Sequence, residues 1–97
     1  MKARLVTVQL QPDLVAEAIK FFGESVVAAL KDQPGFKGAR LLTDPVTSKA
    51  VMVTIWATAE DLQASETSGF LREQLGYLAK YFAGPPAIER YELSISV

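Results

Sequence analysis

Ninety-seven residues, 49% of them hydrophobic, make one domain with more apolar surface than a small monomer easily hides. Ten basic and eleven acidic residues leave a formal net charge of −1 with no basic cluster, which excludes the electrostatic footprint of a nucleic-acid binder. Cysteine and histidine are absent, so no disulfide framework, thiolate chemistry, zinc site, histidine-ligated haem or serine–histidine triad can be built.

The opening MKARLVTVQLQPD is interrupted by Gln9, Gln11 and Asp13 and lacks a signal-peptide core. No apolar run reaches the roughly 20 residues of a membrane span, and the expectation is a soluble cytoplasmic protein without metal or cofactor. Residues 3–11 alternate and are rich in β-branched types, the pattern of a first strand. After Pro12 and Asp13 the period changes. Val15, Ile19, Phe22, Val26 and Leu30 form one helical stripe, with Glu17, Lys20, Glu24 and Lys31 opposite, and the spacing predicts a helix over 14–33. Gln33-Pro34-Gly35 stops it. Residues 36–44 and 49–57 read as a hairpin around Asp44-Pro45-Val46-Thr47-Ser48. Thr58-Ala59-Glu60-Asp61 opens a helix like a capping box, with both acids in the first turn where the dipole favours them. Residues 65–69 are helix-poor and predict a break. Leu71, Leu75, Leu78 and Phe82 resume a helical stripe until Gly84-Pro85-Pro86. Residues 87–97 alternate as a fourth strand.

The order strand–helix–strand–strand–helix–strand predicts an α+β, ferredoxin-like βαββαβ domain spanning 1–97. Right-handed crossovers put both helices on one face of the sheet. The other face is not polar enough to meet water. In the third strand Val51, Val53 and Ile55 point one way while Ala50, Met52 and Trp56 point the other. An apolar face of that kind calls for a cover, and the simplest is a second copy in an isologous homodimer enclosing a barrel-like core.

With these elements in place, the chain resembles the antibiotic biosynthesis monooxygenase-like group of dimeric α/β-barrel proteins. The resemblance rests on the long helix followed by Pro34-Gly35-Phe36, on Trp56-Ala57-Thr58-Ala59-Glu60-Asp61-Leu62, and on Tyr91-Glu92-Leu93. It implies a pocket between the helices and the sheet of one subunit. The implied activities include cofactor-independent oxygenation of a hydrophobic aromatic or quinol-type molecule, and haem degradation. The family's histidine falls near Ser65 here, and its asparagine has no counterpart, because this chain contains neither residue type. That departure argues against haem degradation and leaves any oxygenase reading to other residues.

A cofactor-free oxygenase needs a dry pocket, a group that takes or tolerates a proton, and donors for the developing oxyanion. Without histidine the base must be Asp, Glu, Lys or Tyr. Trp56 and Tyr77 are the candidate catalytic residues. Trp56 offers an indole N–H and a flat wall, and Gly76 leaves room beside the Tyr77 phenol. Gln9, Phe22, Arg40, Met52, Phe70 and Tyr81 are the candidate substrate-binding residues. Arg4 and Arg90, like Arg40, would anchor an anion if they faced inward. Each has a plain structural alternative: Trp56 and Phe22 as core, the tyrosines as stripe edges, the arginines as surface charges. A non-catalytic small-molecule-binding or interaction module on the same fold also stays open, as does a subunit of a larger assembly.

Overall fold

The computed structural model describes residues 1–97. The chain runs β1 (Lys2–Gln9), α1 (Val15–Phe21), a π-helical turn (Phe22–Val26), α2 (Val27–Lys31), β2 (Phe36–Thr43), β3 (Lys49–Trp56), α3 (Ala59–Thr67), α4 (Phe70–Leu78) and β4 (Ala87–Glu92). Short 3-10 turns occupy Pro12–Leu14 and Ala79–Tyr81. The strands form one antiparallel sheet in the order β2-β3-β1-β4, the ferredoxin-like arrangement that the order of elements predicts. No helix is long and apolar enough to cross a membrane.

Register decides which side chains meet the helices. Arg4 pairs with Thr54 and Arg90, Val6 with Met52 and Ile88, and Val8 with Ala50. Cross-strand partners share a face, so these residues line the helix side with Trp56. There they join Phe22, Val26, Leu30, Leu62 and Leu78 in one buried cluster. The opposite face carries Leu5, Val51, Val53 and Ile55, all only half-buried, with Leu42 and Tyr91 exposed.

Local chemistry accounts for the joints. Asp44 Oδ1 accepts from the backbone N–H groups of Val46 and Thr47, holding the hairpin turn. Those two bonds also draw the Asp44 carboxyl below its ordinary pKa. Thr58 caps α3 through its hydroxyl, which accepts from the Asp61 N–H at 3.1 Å. Gly35 takes φ +75°, and a Cβ there would lie 2.1 Å from Asp61 Oδ2, so the passage from α2 to β2 has no room for a side chain.

Three expectations are corrected and one is narrowed. The first helix is not one α-helix over 14–33. It runs from Val15 to Lys31 with the π turn in its middle. The buried stripe is Ala18, Phe22, Val26 and Leu30, while Ile19 is 42% exposed. Residues four apart drift by roughly 40° per step in a regular helix of 3.6 residues per turn. The wider π turn absorbs that drift and keeps Phe22 and Val26 on the sheet side. The second helical break falls at Ser68-Gly69, with Gly69 at φ +88°, and Ser65 is a buried residue of α3. Phe82 leaves the helical stripe for extended backbone, where it bridges Leu10. Finally β4 ends at Glu92, not Val97. Its partner β1 starts at Lys2, opposite Glu92, and the Leu93 N–H bond to the Met1 carbonyl is the last available pairing.

Candidate functional site

Between the helical layer and the sheet lie two small voids that share Phe22, Met52 and Leu78 as walls. One, of about 20 Å³, is wholly apolar, lined also by Val8, Ala18, Leu41 and Phe82. The other, of about 30 Å³, is bounded by Val26 from the π turn and by Phe70, Leu71 and Leu75 from α4. Three polar residues reach it: Arg4, Thr54 and Gln74. Each void is about the size of one water, so together they form a narrow seam and not a roomy pocket. The π turn, a feature frequent at functional sites, supplies Phe22 and Val26 to this seam. We refer to it as the interior cleft.

At one end of the cleft stands a buried charge network. Arg4 sits on β1 with the same parity as Val6 and Val8, so strand alternation drives it into the core, where it is only 1% exposed. Its Nη1 donates to Ser65 Oγ at 2.7 Å and to Glu66 Oε2 at 3.4 Å. Ser65 Oγ in turn donates to the Leu62 carbonyl at 2.6 Å. Glu66 also receives the Arg90 guanidinium on both carboxylate oxygens. The guanidinium of Arg4 lies 5.2 Å from the Trp56 ring centre, a cation–π contact. Arg4 Nε has no partner at all.

Burial pulls the Arg4 pKa down, while the Glu66 carboxylate pulls it back up. A guanidinium in a protein stays charged regardless. Hydrogen bonding from Arg90 holds Glu66 below the ordinary carboxylate value, against a smaller opposing effect of desolvation, and the same pairing raises Arg90. Two cations thus face one carboxylate.

Of the residues singled out from sequence, Phe22, Met52 and Phe70 come together on the cleft. Trp56 stands behind Arg4, 0% exposed, with its indole N–H donated to Thr54 Oγ1 at 2.9 Å and its ring edge-on to Phe36. It is not among the residues that line the cleft. Tyr77 is 52% exposed on the outer side of α4, and its hydroxyl donates to Glu73, which raises the phenol pKa. Gln9 is exposed beside the hairpin, donating to the Thr47 carbonyl. Arg40 is exposed on β2 and bonds the Ala39 carbonyl. Tyr81 is buried against Phe21, with ring centres 6.0 Å apart, and Lys80 lies over both rings. The cleft does not gather Gln9, Arg40, Tyr77 or Tyr81.

Arg4, named from sequence as an anion anchor if it faced inward, does face inward, while Thr54, Gln74 and Glu66 complete the cleft and its network without having been singled out. Strand parity could have settled the inward direction of Arg4 and found Thr54. Nothing in the sequence pattern marks Gln74 or Glu66. A larger hollow of about 510 Å³ lies on the surface between β4 and α3, lined by Lys2, Glu66, Arg90, Tyr91 and Glu92 among others. Its charges are already matched, Arg90 to Glu66 and Lys2 to Glu92, so it offers no convergent free group.

A model of the family described as antibiotic biosynthesis monooxygenase matches residues 1–74. The chain belongs to this family. Uncharacterized protein Rv2557 of Mycobacterium tuberculosis is 31% identical over 96 residues, covering 95% of this chain and 40% of that protein. The chain therefore spans about two fifths of the length of its curated relatives. Among solved structures, the heme-degrader MhuD of Mycobacterium tuberculosis, with two hemes bound in its active site, superposes with a TM-score of 0.79 at 21% identity, covering 100% of this chain and 99% of that one. The monooxygenase from the gene ActVA-Orf6 of Streptomyces coelicolor, in complex with the ligand Nanaomycin D, gives 0.73 at 20% identity, covering 99% and 89%. At these identities the likeness is one of fold. Proteins of this fold thus differ in the ligands they hold, and the cleft of this chain has to be read from its own residues.

Proposed function

We propose that the protein takes a small aromatic or quinol-type molecule into the interior cleft and oxygenates it without a cofactor. The observation that carries this reading is the cleft itself: an apolar seam between the π turn, α4 and the sheet, with only Arg4, Thr54 and Gln74 as polar lining, in a chain of the monooxygenase family. Such walls exclude water and suit a flat ring. The chemistry then belongs to the substrate. An ionised anthrone, for example, reduces dioxygen at its methylene carbon. The O–O bond breaks, one oxygen becomes the new carbonyl, and the other leaves as water with the two methylene hydrogens. The protein's part is to hold the ring, exclude solvent and stabilise the anion.

A second reading, binding without turnover, is favoured by one feature: no carboxylate and no phenol lines the cleft, and the Trp56 N–H is already donated. Aerobic incubation with a panel of anthrones and hydroquinones separates the two. Oxygenation predicts product at least tenfold above the uncatalysed rate, falling in Leu75→Phe, which narrows the cleft at a half-buried wall. Binding of the same compounds by calorimetry with no rate above background assigns the protein to the second reading.

A homodimer belongs to the same proposal. The sheet face of Leu5, Val51, Val53 and Ile55 is apolar and uncovered in the single chain. A second copy seals it by two-fold pairing. Sedimentation at micromolar concentration is expected to give twice 10.6 kDa, and Val53→Glu the single mass. A wild-type monomer under those conditions overturns this part.

A further inference from the structure

The unused half of Arg4 has a consequence for the ligand. We propose that Arg4 is the anion anchor of the interior cleft and that the ligand is an aromatic anion, an ionised oxygen or carboxylate on an apolar ring. The proposal rests on the cleft being the binding site. Three observations lead to it.

First, Arg4 lines the cleft, is 1% exposed, and leaves its Nε without a partner. A buried donor of this kind costs stability unless something accepts from it. The hydrogen bonds Arg4 does make run from Nη1, towards Ser65 and Glu66. That leaves the opposite edge of the guanidinium, the one carrying Nε, for a planar oxyanion. Second, charge does not balance. Arg4 and Arg90 face Glu66 alone, and Arg90 takes both oxygens of that carboxylate. One unit of positive charge remains at the end of an apolar seam, where low polarity strengthens its pull on an anion. Third, the rest of the lining cannot compete for it: beyond Thr54 and Gln74 the walls are hydrocarbon and aromatic ring.

The same cation explains how a chain without a base in its cleft can favour the reactive form of its ligand. A positive charge within a few ångströms lowers the pKa of a phenol or enol. The ionised form is the one that reduces dioxygen. The void is only about 30 Å³, so the half-buried residues Phe70, Leu71 and Leu75 must part to admit a ring. They follow the left-handed Gly69, which starts α4.

The test compares two ring compounds that differ in charge, 2-naphthoate and 2-naphthylmethanol, titrated into ¹⁵N-labelled full-length protein. The readouts are the Arg Nε–H resonances and the single indole N–H of Trp56, together with calorimetric affinity. Naphthoate is expected to bind at least tenfold tighter than the alcohol and to shift both the Arg4 Nε–H and the Trp56 indole. Arg4→Met is expected to abolish that preference while retaining the alcohol. Glu66→Gln, which frees the cation, is expected to raise naphthoate affinity severalfold, a gain that a merely structural Arg4 would not give. Equal affinities in the wild type, or a Glu66→Gln variant that binds naphthoate no better, overturn the anion anchor and leave the cleft standing. Failure of both compounds to bind overturns the cleft reading and the anchor together.

Discussion

Replacing Trp56 by phenylalanine tests how the buried end of the sheet is held. Three losses can be sized from the contacts. The indole N–H to Thr54 Oγ1 bond disappears, worth about 1 kcal/mol net. The smaller ring gives up roughly 40 Å³, which at about 24 cal/mol per Å³ of unfilled cavity costs about 1 kcal/mol. The contact with Arg4 at 5.2 Å weakens, since phenylalanine is a poorer cation–π partner, by about 0.5 kcal/mol. The expected loss is therefore about 2.5 kcal/mol, or roughly 12 °C in Tm for a domain of this size. Urea and thermal unfolding at fixed protein concentration measure it, because association would otherwise shift the midpoint. Thr54→Val removes the hydroxyl that Trp56→Phe leaves orphaned, so the double variant is expected to lose about 1 kcal/mol less than the two singles added. A Trp56→Phe loss below about 1 kcal/mol refutes the account of Trp56 as a structural support for Arg4 and returns it to the candidates for chemistry.

Glu66 gives the network a pH signature. Its folded-state pKa is depressed, chiefly by the Arg90 hydrogen bonds. Its contribution is thus complete above the ordinary glutamate value of about 4.3 and is lost as pH falls through the lower folded value. Glu66→Gln should cost about 2 kcal/mol at pH 7 and progressively less towards pH 3, read from urea midpoints. The residual acid sensitivity of that variant falls to Asp44 and Glu92, which are also depressed; a Glu66→Gln deficit that does not shrink with acid contradicts the assignment. At Gly35, alanine must take a left-handed backbone at about 1 kcal/mol and displace Asp61 besides. Gly35→Ala is expected to lower the urea midpoint clearly, and Asp61→Ala in the same chain to restore only part of the loss.

Sequence and structure agree where a pattern is repeated along an element. Four strands, the hairpin turn at Asp44, the cap at Thr58 and the two faces of β3 follow from alternation, turn chemistry and capping, each a local rule. The π turn was not legible, because a stripe spaced by fours reads the same whether the helix twists or widens; the glycine at 23 is the one local hint. The early end of β4 depends on where its neighbour β1 begins, which is a tertiary fact. The candidate site divides along the same line. Phe22 and Met52 reach the cleft because they lie on core stripes, and Phe70 because the first turn of α4 packs it half-buried against that core. Tyr77, spaced seven from Phe70, turns outward to Glu73, since a helix edge is decided by how far the helix is rolled against the sheet. Gln9 and Arg40 lie next to Val8 and Leu41 of the cleft but have the opposite parity, so their side chains leave it.

The same parity carries the interpretation of Ser65. Resemblance to the family places a histidine near this position, and the chain has none. The structure gives a physical counterpart to that absence. Ser65 is 3% exposed, accepts from Arg4 and donates to the Leu62 carbonyl, so its proton is already committed. An imidazole there would need the volume that the Arg4 guanidinium fills and would set a titrating base against a permanent cation. A small hydroxyl on α3 and an inward arginine on β1 therefore fit each other in this chain. The group at this end of the cleft becomes a fixed positive charge. It cannot take a proton from a ligand and can only favour one that has already lost it, which is why the charge of the ligand, more than the identity of any base, is the property to measure.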